Sequence, residues 1–391
     1  MAADDGTRPL IRPPRLRTED DRSASRLELF LDLAYVLVVA EVAGAFADDL
    51  TWHGAAVFAF LFTITWWSWV TGTLYANRFD TDDVVYRLAK LGTTFGVAVM
   101  AAAAADATGA ETTAFTVGYL VTRVLLVALY VRAWRHVHDA RATVGVYLAA
   151  TAAGALVWAS SLVASGTTVL VLWAVGILVE AVAPVVVTRL GDNAPLHVEH
   201  LPERFGLLVI LVLGESVASV VTGMRDTAWD PASVAAALVG FVVAAALWWS
   251  YFDIGETVSR RHLADGDDPH RTGAGDRYVY GHLPLTLGLA AVGVGIEQYV
   301  VHPVGELTTG GRWALCGGVV LFLAGTAVVV AGEARSRSAR VWPLLAVPVV
   351  VLLGALDEVV PAATITVVAL VLVVTILVGL GEQRRQVATP G

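Results

Sequence analysis

Long apolar runs, broken by short polar stretches, set the pattern of this chain. About 30 Å of hydrocarbon needs about 20 helical residues at roughly 1.5 Å rise each, so a run near that length predicts a membrane-spanning helix. Twelve runs qualify, near residues 28–47, 52–75, 85–105, 113–133, 144–164, 167–189, 204–222, 232–252, 278–300, 311–331, 340–357 and 361–380. Strands are ruled out for these runs, because an open sheet leaves unpaired backbone groups in lipid. The expected fold class is all-α, a polytopic membrane protein of about 12 transmembrane helices. Short turns beside the second, fifth and sixth spans predict tight hairpins.

Composition removes the competing classes. Of 391 residues, 57% are hydrophobic and only 16% charged, where a soluble domain carries about a quarter charged. There is too little polar surface to coat a soluble enzyme, and too much apolar sequence for a disordered protein. A formal net charge of −9 argues against a nucleic-acid partner. The single cysteine, Cys316, excludes a disulfide framework and a cysteine-based metal site. The expected partners are the lipid bilayer and a small ion or small-molecule substrate. No cofactor, metal or enzymatic activity is expected: the chain has no Gly-rich phosphate loop, no Ser-His-Asp order and no HExxH. Its one lysine, Lys90, lies near the interface, which disfavours a Schiff-base retinal protein. The oligomeric state is left open.

Orientation follows from the arginines. With the N-terminus cytoplasmic, 23 of the 26 basic residues fall on the inner side, two (Arg225 and Arg312) on the outer, and Arg123 within a span. One missed or invented helix would invert every later loop, so both termini are expected inside, in the cell (plasma) membrane. Ala43-Gly44-Ala45 has the small-x-small look of a signal-peptide cleavage site. Against cleavage, Asp32 lies early in the first apolar stretch, and that stretch has an internal counterpart.

The counterpart comes from a repeat. Glu28-Leu29-Phe30 opens the first span with Glu41 thirteen residues after Glu28, and Glu203-Arg204-Phe205 opens the seventh with Glu215 twelve after Glu203. Trp66-Trp67-Ser68-Trp69 is echoed by Trp248-Trp249-Ser250-Tyr251, and Tyr86-Arg87 by Arg277-Tyr278. Two parallel six-helix repeats are therefore expected. They give a basic tail over 1–27, a first repeat over 28–190, a linker over 191–203, a second repeat over 204–380 and a C-terminal tail over 381–391. Parallel repeats are a transporter plan with the substrate path between the halves.

Charges within a span are costly and face a cavity or a partner. These are Asp32, Glu41, Arg123, Glu180 and Glu215. Glu41 and Glu215 sit about 5 and 3 Å to the outer side of their span centres, Arg123 at its centre, and Glu180 about 3 Å inward. Arg123 stays charged at that depth and needs a carboxylate counter-ion. Asp32 and Glu41, nine residues apart, point to opposite helix faces. The functional reading has Glu41 and Glu215 lining a central polar path, with Arg123 and Glu180 as ion-pair partners. The structural alternative is a buried salt-bridge network that sets helix packing. A buried carboxylate could carry a proton, a metal cation or an organic cation.

The loops offer weaker chemistry. Tyr75-Ala76-Asn77-Arg78-Phe79-Asp80-Thr81-Asp82-Asp83 could hold a divalent cation. The simpler expectation is that Asp80 or Thr81 caps the third span, with Asp82 and Asp83 favoured in its first turn and Arg78 paired to one of them. Phe252-Asp253 partly echoes Phe79-Asp80. His197, His200 and Glu203 approach zinc-ligand spacing, but Pro202 breaks the run and suits the first turn of the seventh span. His282, entering the ninth span, could shuttle protons or bond to a neighbouring helix.

Together these motifs resemble the bacterial low temperature requirement A family. Glu28-Leu29-Phe30-Leu31-Asp32-Leu33 looks like its E-L-F-x-D-L opening, and residues 75–83 resemble its most distinctive loop. Glu203-Arg204-Phe205-Gly206 and Leu213-Gly214-Glu215-Ser216 are similar to its E-R-F-G and L-G-E-S signature. Trp248–Asp253, His282-Leu283-Pro284 and Glu297 also fit. The resemblance runs from about residue 26 to 300 and more weakly to the C-terminus. It implies an integral membrane protein linked by name to growth at low temperature, and it implies no substrate. A second resemblance joins Arg26–Asp32 to the R-x-x-x-F-S-D start of a class of six-span potassium channels that also occur duplicated. Leu31 replaces the Ser, and Phe205-Gly206-Leu207 lacks the Asp. A cation- or proton-coupled secondary transporter is thus the leading expectation. A cation channel, or a non-transporting sensor or scaffold, is the alternative.

Overall fold

The computed structural model describes residues 10–17, 25–80, 82–192, 194, 196, 200–252, 273–330, 337–356 and 358–388. Among them run twelve α-helices: α1 Arg26–Asp48, α2 Trp52–Arg78, α3 Val84–Ala104, α4 Thr112–His136, α5 Arg141–Ser160, α6 Thr167–Leu190, α7 His200–Asp226, α8 Pro231–Trp249, α9 Ala274–Val301, α10 Thr309–Val329, α11 Arg337–Ala355 and α12 Pro361–Ala388. Two short strands, β1 Arg15–Leu16 and β2 Phe79–Asp80, pair antiparallel and tie the N-terminal segment to the end of α2.

Among the described residues, eleven helices are long and apolar enough to cross a membrane. The chain is a multi-pass, all-helical membrane protein. The expected span near 340–357 falls on α11, which contains the apolar stretch Leu344–Ala355.

Contacts divide the chain into two compact units. One comprises Met1–Tyr35, Trp67–Ala103 and Ala107–His200, the other Val36–Trp66, Ala104–Asp106 and Leu201–Gly391. The C-terminal part of α1 and the N-terminal part of α2 thus form a hairpin that belongs to the second unit. Phe46 and Phe58 stack across that hairpin at 4.9 Å.

In the first unit, α5 packs against α4 and α6 around a column of aromatic rings. Tyr119 stacks on Trp158 at 3.8 Å and Trp158 on Trp173 at 4.9 Å. In the second unit α9 packs closely against α10. Gly281, Gly288 and Gly295 recur every seven residues on α9, and Gly311, Gly318 and Gly325 do so on α10. Seven residues are nearly two turns, so each set lies on one face. Small residues let membrane helices approach closely where no hydrophobic effect drives them together. A Cβ built on Gly288 would lie 2.4 Å from the Gly318 carbonyl oxygen, and one on Gly318 would lie 2.7 Å from that of Gly288. Gly288→Val should therefore destabilise the protein by about 2 kcal/mol or more through overpacking. Gly44→Ala, where nothing lies within 4 Å, should leave the melting temperature in detergent nearly unchanged.

Candidate functional site

The Trp66-Trp67-Ser68-Trp69 run of α2 serves three neighbouring helices in succession, because consecutive helical residues point about 100° apart. Trp67 Nε1 donates to Glu180 Oε2 of α6 at 3.1 Å. Ser68 Oγ accepts from Arg123 Nη2 of α4 at 2.8 Å. Trp69 Nε1 donates to Asp32 Oδ1 of α1 at 2.8 Å.

Arg123 is the hub, buried with 1% of its surface exposed. Its Nη1 donates to Glu180 Oε2 and to Thr71 Oγ1, both at 2.8 Å. Nη2 also reaches the Ser68 carbonyl at 3.2 Å, and Nε reaches Thr122 Oγ1 at 3.2 Å. These five bonds match the five N–H donors of a guanidinium, whose carbon also lies 4.7 Å from the centre of the Tyr119 ring. Glu180 accepts from the Tyr119 hydroxyl at 3.4 Å through its other oxygen. Gly154 makes room for it, since a Cβ there would sit 2.6 Å from Glu180 Cγ. The counter-ion of Arg123 is therefore Glu180. The pair is saturated by its own unit, with no guanidinium donor left over for a substrate.

The loop after α2 is a clasp. Arg78 donates to the Ala194 carbonyl at 2.9 Å, to the Tyr147 hydroxyl at 3.1 Å and to Asp192 Oδ2 at 3.0 Å. Its expected partners, Asp82 and Asp83, are taken by other arginines. Arg87 grips Asp82 in bidentate fashion at 2.8 and 3.0 Å. Arg132 of α4 grips Asp83 at 3.0 and 2.5 Å. The cap of α3 is Asp83, whose Oδ1 accepts from the Tyr86 N–H at 3.0 Å. Asp80 sits in β2, in register with Arg15, and Thr81 lies outside the described residues, so the cap expected at 80 or 81 moves to 83. The pairing of β1 with β2 draws Asp80 into the strand and lets the helix start only at Val84.

Asp83 also accepts the Arg12 N–H at 3.0 Å, and Arg132 donates to the Arg12 carbonyl. Burial pushes the Asp83 carboxyl up, but the Arg132 guanidinium and the N–H groups of Arg12 and Tyr86 outweigh it and hold it down at about 2. A folded value below the unfolded one stabilises the protein fully above about pH 4, and the gain is lost as pH falls through about 2. The difference corresponds to roughly 2 kcal/mol. Melting temperatures of wild type and Asp83→Asn should differ most at neutral pH and converge as the pH falls to about 2. A constant gap would show that ionised Asp83 contributes nothing.

Glu28 closes a capping box at the start of α1, accepting the Ser25 N–H at 2.8 Å while its own N–H donates to Ser25 Oγ at 3.2 Å. His282 is fully buried, with Nε2 3.0 Å from the Tyr251 hydroxyl and Nδ1 2.6 Å from the Tyr278 carbonyl. Both ring nitrogens thus face bonding partners of its own unit. Glu203 is half-buried in the first turn of α7, beside the buried Arg204. Asp253 and His197 lie outside the described residues. Among the described residues no group of three or more His, Cys, Asp or Glu could hold a metal.

The second unit brings a different set together. Glu41 lies on the exposed face of α1 with Leu33, Leu37 and Gly44, opposite the buried Asp32. Glu215 of α7 is half-buried and within electrostatic reach of Glu41. Glu297 of α9 is within reach of Glu215, and of Asp48 and Asp226, the last residues of α1 and α7. Seven residues separate Glu41 from Asp48 and eleven separate Glu215 from Asp226, so each Asp lies within about 20° of its Glu, some 10–16 Å further along the helix. Among the described residues, neither Glu41, Glu215 nor Glu297 bonds to a basic side chain. The backbones close in at this level: a Cβ on Gly293 of α9 would lie 3.3 Å from the Ser216 nitrogen of α7. Ser216 is fully buried, and its hydroxyl has no hydrogen-bond partner among the described residues.

Glu41 and Glu215 thus fall in one unit, and Asp32, Arg123 and Glu180 in the other. Sequence reasoning missed Glu297 as a member of the acidic set, although an acid four residues before the end of an apolar helix was the available signal. It also missed Arg132 and Asp192, whose loop and helix-end positions carry no distinguishing pattern.

The family model described as bacterial low temperature requirement A protein matches residues 23–376. The chain is also similar to an uncharacterized protein of Rhizobium meliloti (strain 1021), with 29% identity over 385 residues, covering 94% of this chain and 91% of that one.

Proposed function

The chain belongs to the bacterial low temperature requirement A protein family, and we propose that it works as a cation- or proton-coupled secondary transporter. The observation that carries this reading is the acidic set of Glu41, Glu215 and Glu297, on three helices of one unit and without a basic partner among the described residues. Carboxylates without basic partners repel one another, and a proton or a cation held at one of them relieves the repulsion. A site that a proton and a cation can each neutralise couples the movement of the two. The unsatisfied Ser216 hydroxyl beside Glu215 offers a further oxygen ligand.

Asp48 and Asp226 extend the set towards the helix ends. An acid at a helix C-terminus is disfavoured by the helix dipole, so helix stability does not account for either residue. Attraction of cations to the mouth of a path does. Sorting of the arginines supports placing both termini in the cytoplasm and this mouth on the outer face of the cell membrane.

Liposomes containing the purified protein and an entrapped pH-sensitive dye test the proposal. Addition of a substrate cation, screened over monovalent, divalent and small organic cations, should drive proton movement that saturates with concentration. Unitary current steps in a planar bilayer would identify a channel instead. No cation-dependent signal above protein-free liposomes would refute transport.

A further inference from the structure

We propose that a cavity beside the first turns of α1 and α3 binds the phosphate of a phospholipid from the surrounding leaflet. The cavity measures about 490 Å³, and its lining includes Arg17, Arg26, Arg87, Asp82, Phe30 and Leu91. All belong to the first unit.

The charged groups around it are unequally committed. Asp82 is held by Arg87 through two bonds, Glu28 is spent in its capping box, and Asp80 is engaged. Two of the arginines keep donors in hand. Arg17 spends Nη2 on the Ala76 carbonyl at 2.8 Å, while its Nε is buried without a hydrogen-bond partner among the described residues. Arg26 is exposed and has no hydrogen bond or ion pair among the described residues. What the cavity lacks is an acceptor, and it lacks one at two guanidiniums together.

The N-termini of α1 and α3 both border the cavity, and their dipoles also favour an anion there. Guanidinium matches phosphate geometry through paired donors. The apolar side of the cavity says where such a phosphate comes from. Phe30 and Leu91 are exposed, and Leu91 continues a stripe of exposed side chains, Val84, Leu88, Leu91 and Phe95, along α3. That spacing places the four on one helix face. An acyl chain can follow this stripe away from a phosphate held by Arg17 and Arg26, whereas a free phosphate ion would make no use of it.

Native mass spectrometry of the delipidated protein in detergent tests the assignment, using dioleoyl phosphatidylglycerol, dioleoylglycerol and inorganic phosphate as probes. The phospholipid should bind about tenfold more tightly than dioleoylglycerol, as expected for charge-assisted bonds to phosphate. Arg26→Gln should weaken it severalfold, and Arg17→Gln/Arg26→Gln should reduce it to the dioleoylglycerol level. Arg141→Gln, which alters an arginine stacked on Trp134 elsewhere, should bind like wild type. Because Arg17 also anchors the N-terminal segment, Arg26→Gln, at an exposed position, carries the test if the double variant does not fold. Equal binding of the two lipids, or undiminished binding in Arg26→Gln, would overturn the proposal. Displacement of the phospholipid by millimolar inorganic phosphate would overturn the lipid as its source.

Discussion

Glu215→Gln is expected to abolish cation-driven proton movement in liposomes, by tenfold at the least, while the protein stays folded. The amide keeps the size of the side chain and removes the group that exchanges a proton for a cation. Glu297→Gln should give a loss of similar kind. Glu41→Gln should weaken apparent cation affinity more than maximal rate, because Glu41 is exposed and acts on Glu215 only through its charge. Stability supplies an independent readout. A carboxylate without a basic partner costs desolvation energy and gains no ion pair, so its neutralisation should hold or raise the melting temperature. Full flux in both Glu215→Gln and Glu41→Gln would remove these residues from the path. Loss of flux together with a fallen melting temperature would mark Glu215 as a packing residue.

The opposite pattern is expected for Arg123 and Glu180. Breaking a buried pair by removing one partner strands a charge and costs about 3–5 kcal/mol. Arg123→Leu leaves Glu180, 2% exposed, with only the neutral donors of Trp67 and Tyr119. Glu180→Leu leaves a guanidinium with four of its five bonds and no counter-charge. Each single variant should be lost from the folded peak in detergent size-exclusion chromatography. The double Arg123→Leu/Glu180→Leu variant should recover much of the deficit, since two apolar side chains leave no unpaired charge. Arg123→Lys should not rescue, because an ammonium cannot span Thr71, Thr122, Ser68 and Glu180 at once. A single variant that folds normally and loses only transport would instead place the pair in the transport path.

These two outcomes separate carboxylates that look alike in sequence. Glu180 and Glu215 are each the one acid within the apolar stretch of a helix, and hydropathy treats them the same. Depth arithmetic could put Glu41 and Glu215 at one level and turn Asp32 away from Glu41, because helix rise and rotation are fixed numbers. It could not say that Arg123 would choose Glu180. That choice depends on Gly154 leaving space, on Tyr119 and Trp67 offering donors, and on the meeting of α2, α4 and α6. The Asp80–Asp83 stretch went astray for a related reason. Local rules allow a cap at any of several positions, and the pairing of Leu16 with Phe79 selects Asp83.

Hydropathy and motifs alone were enough to identify a multi-pass helical membrane protein and the family it belongs to. Those properties are local: a run of apolar residues must become a helix in lipid, whatever its neighbours do. Which charges are saturated and which lack a basic partner emerges only from the packing of the helices. The distinction rests on partners brought from more than fifty positions away, as Thr71 and Glu180 are when they accept from Arg123. In a low-dielectric interior the energy of a charge is set almost entirely by such neighbours, and chain order does not specify them.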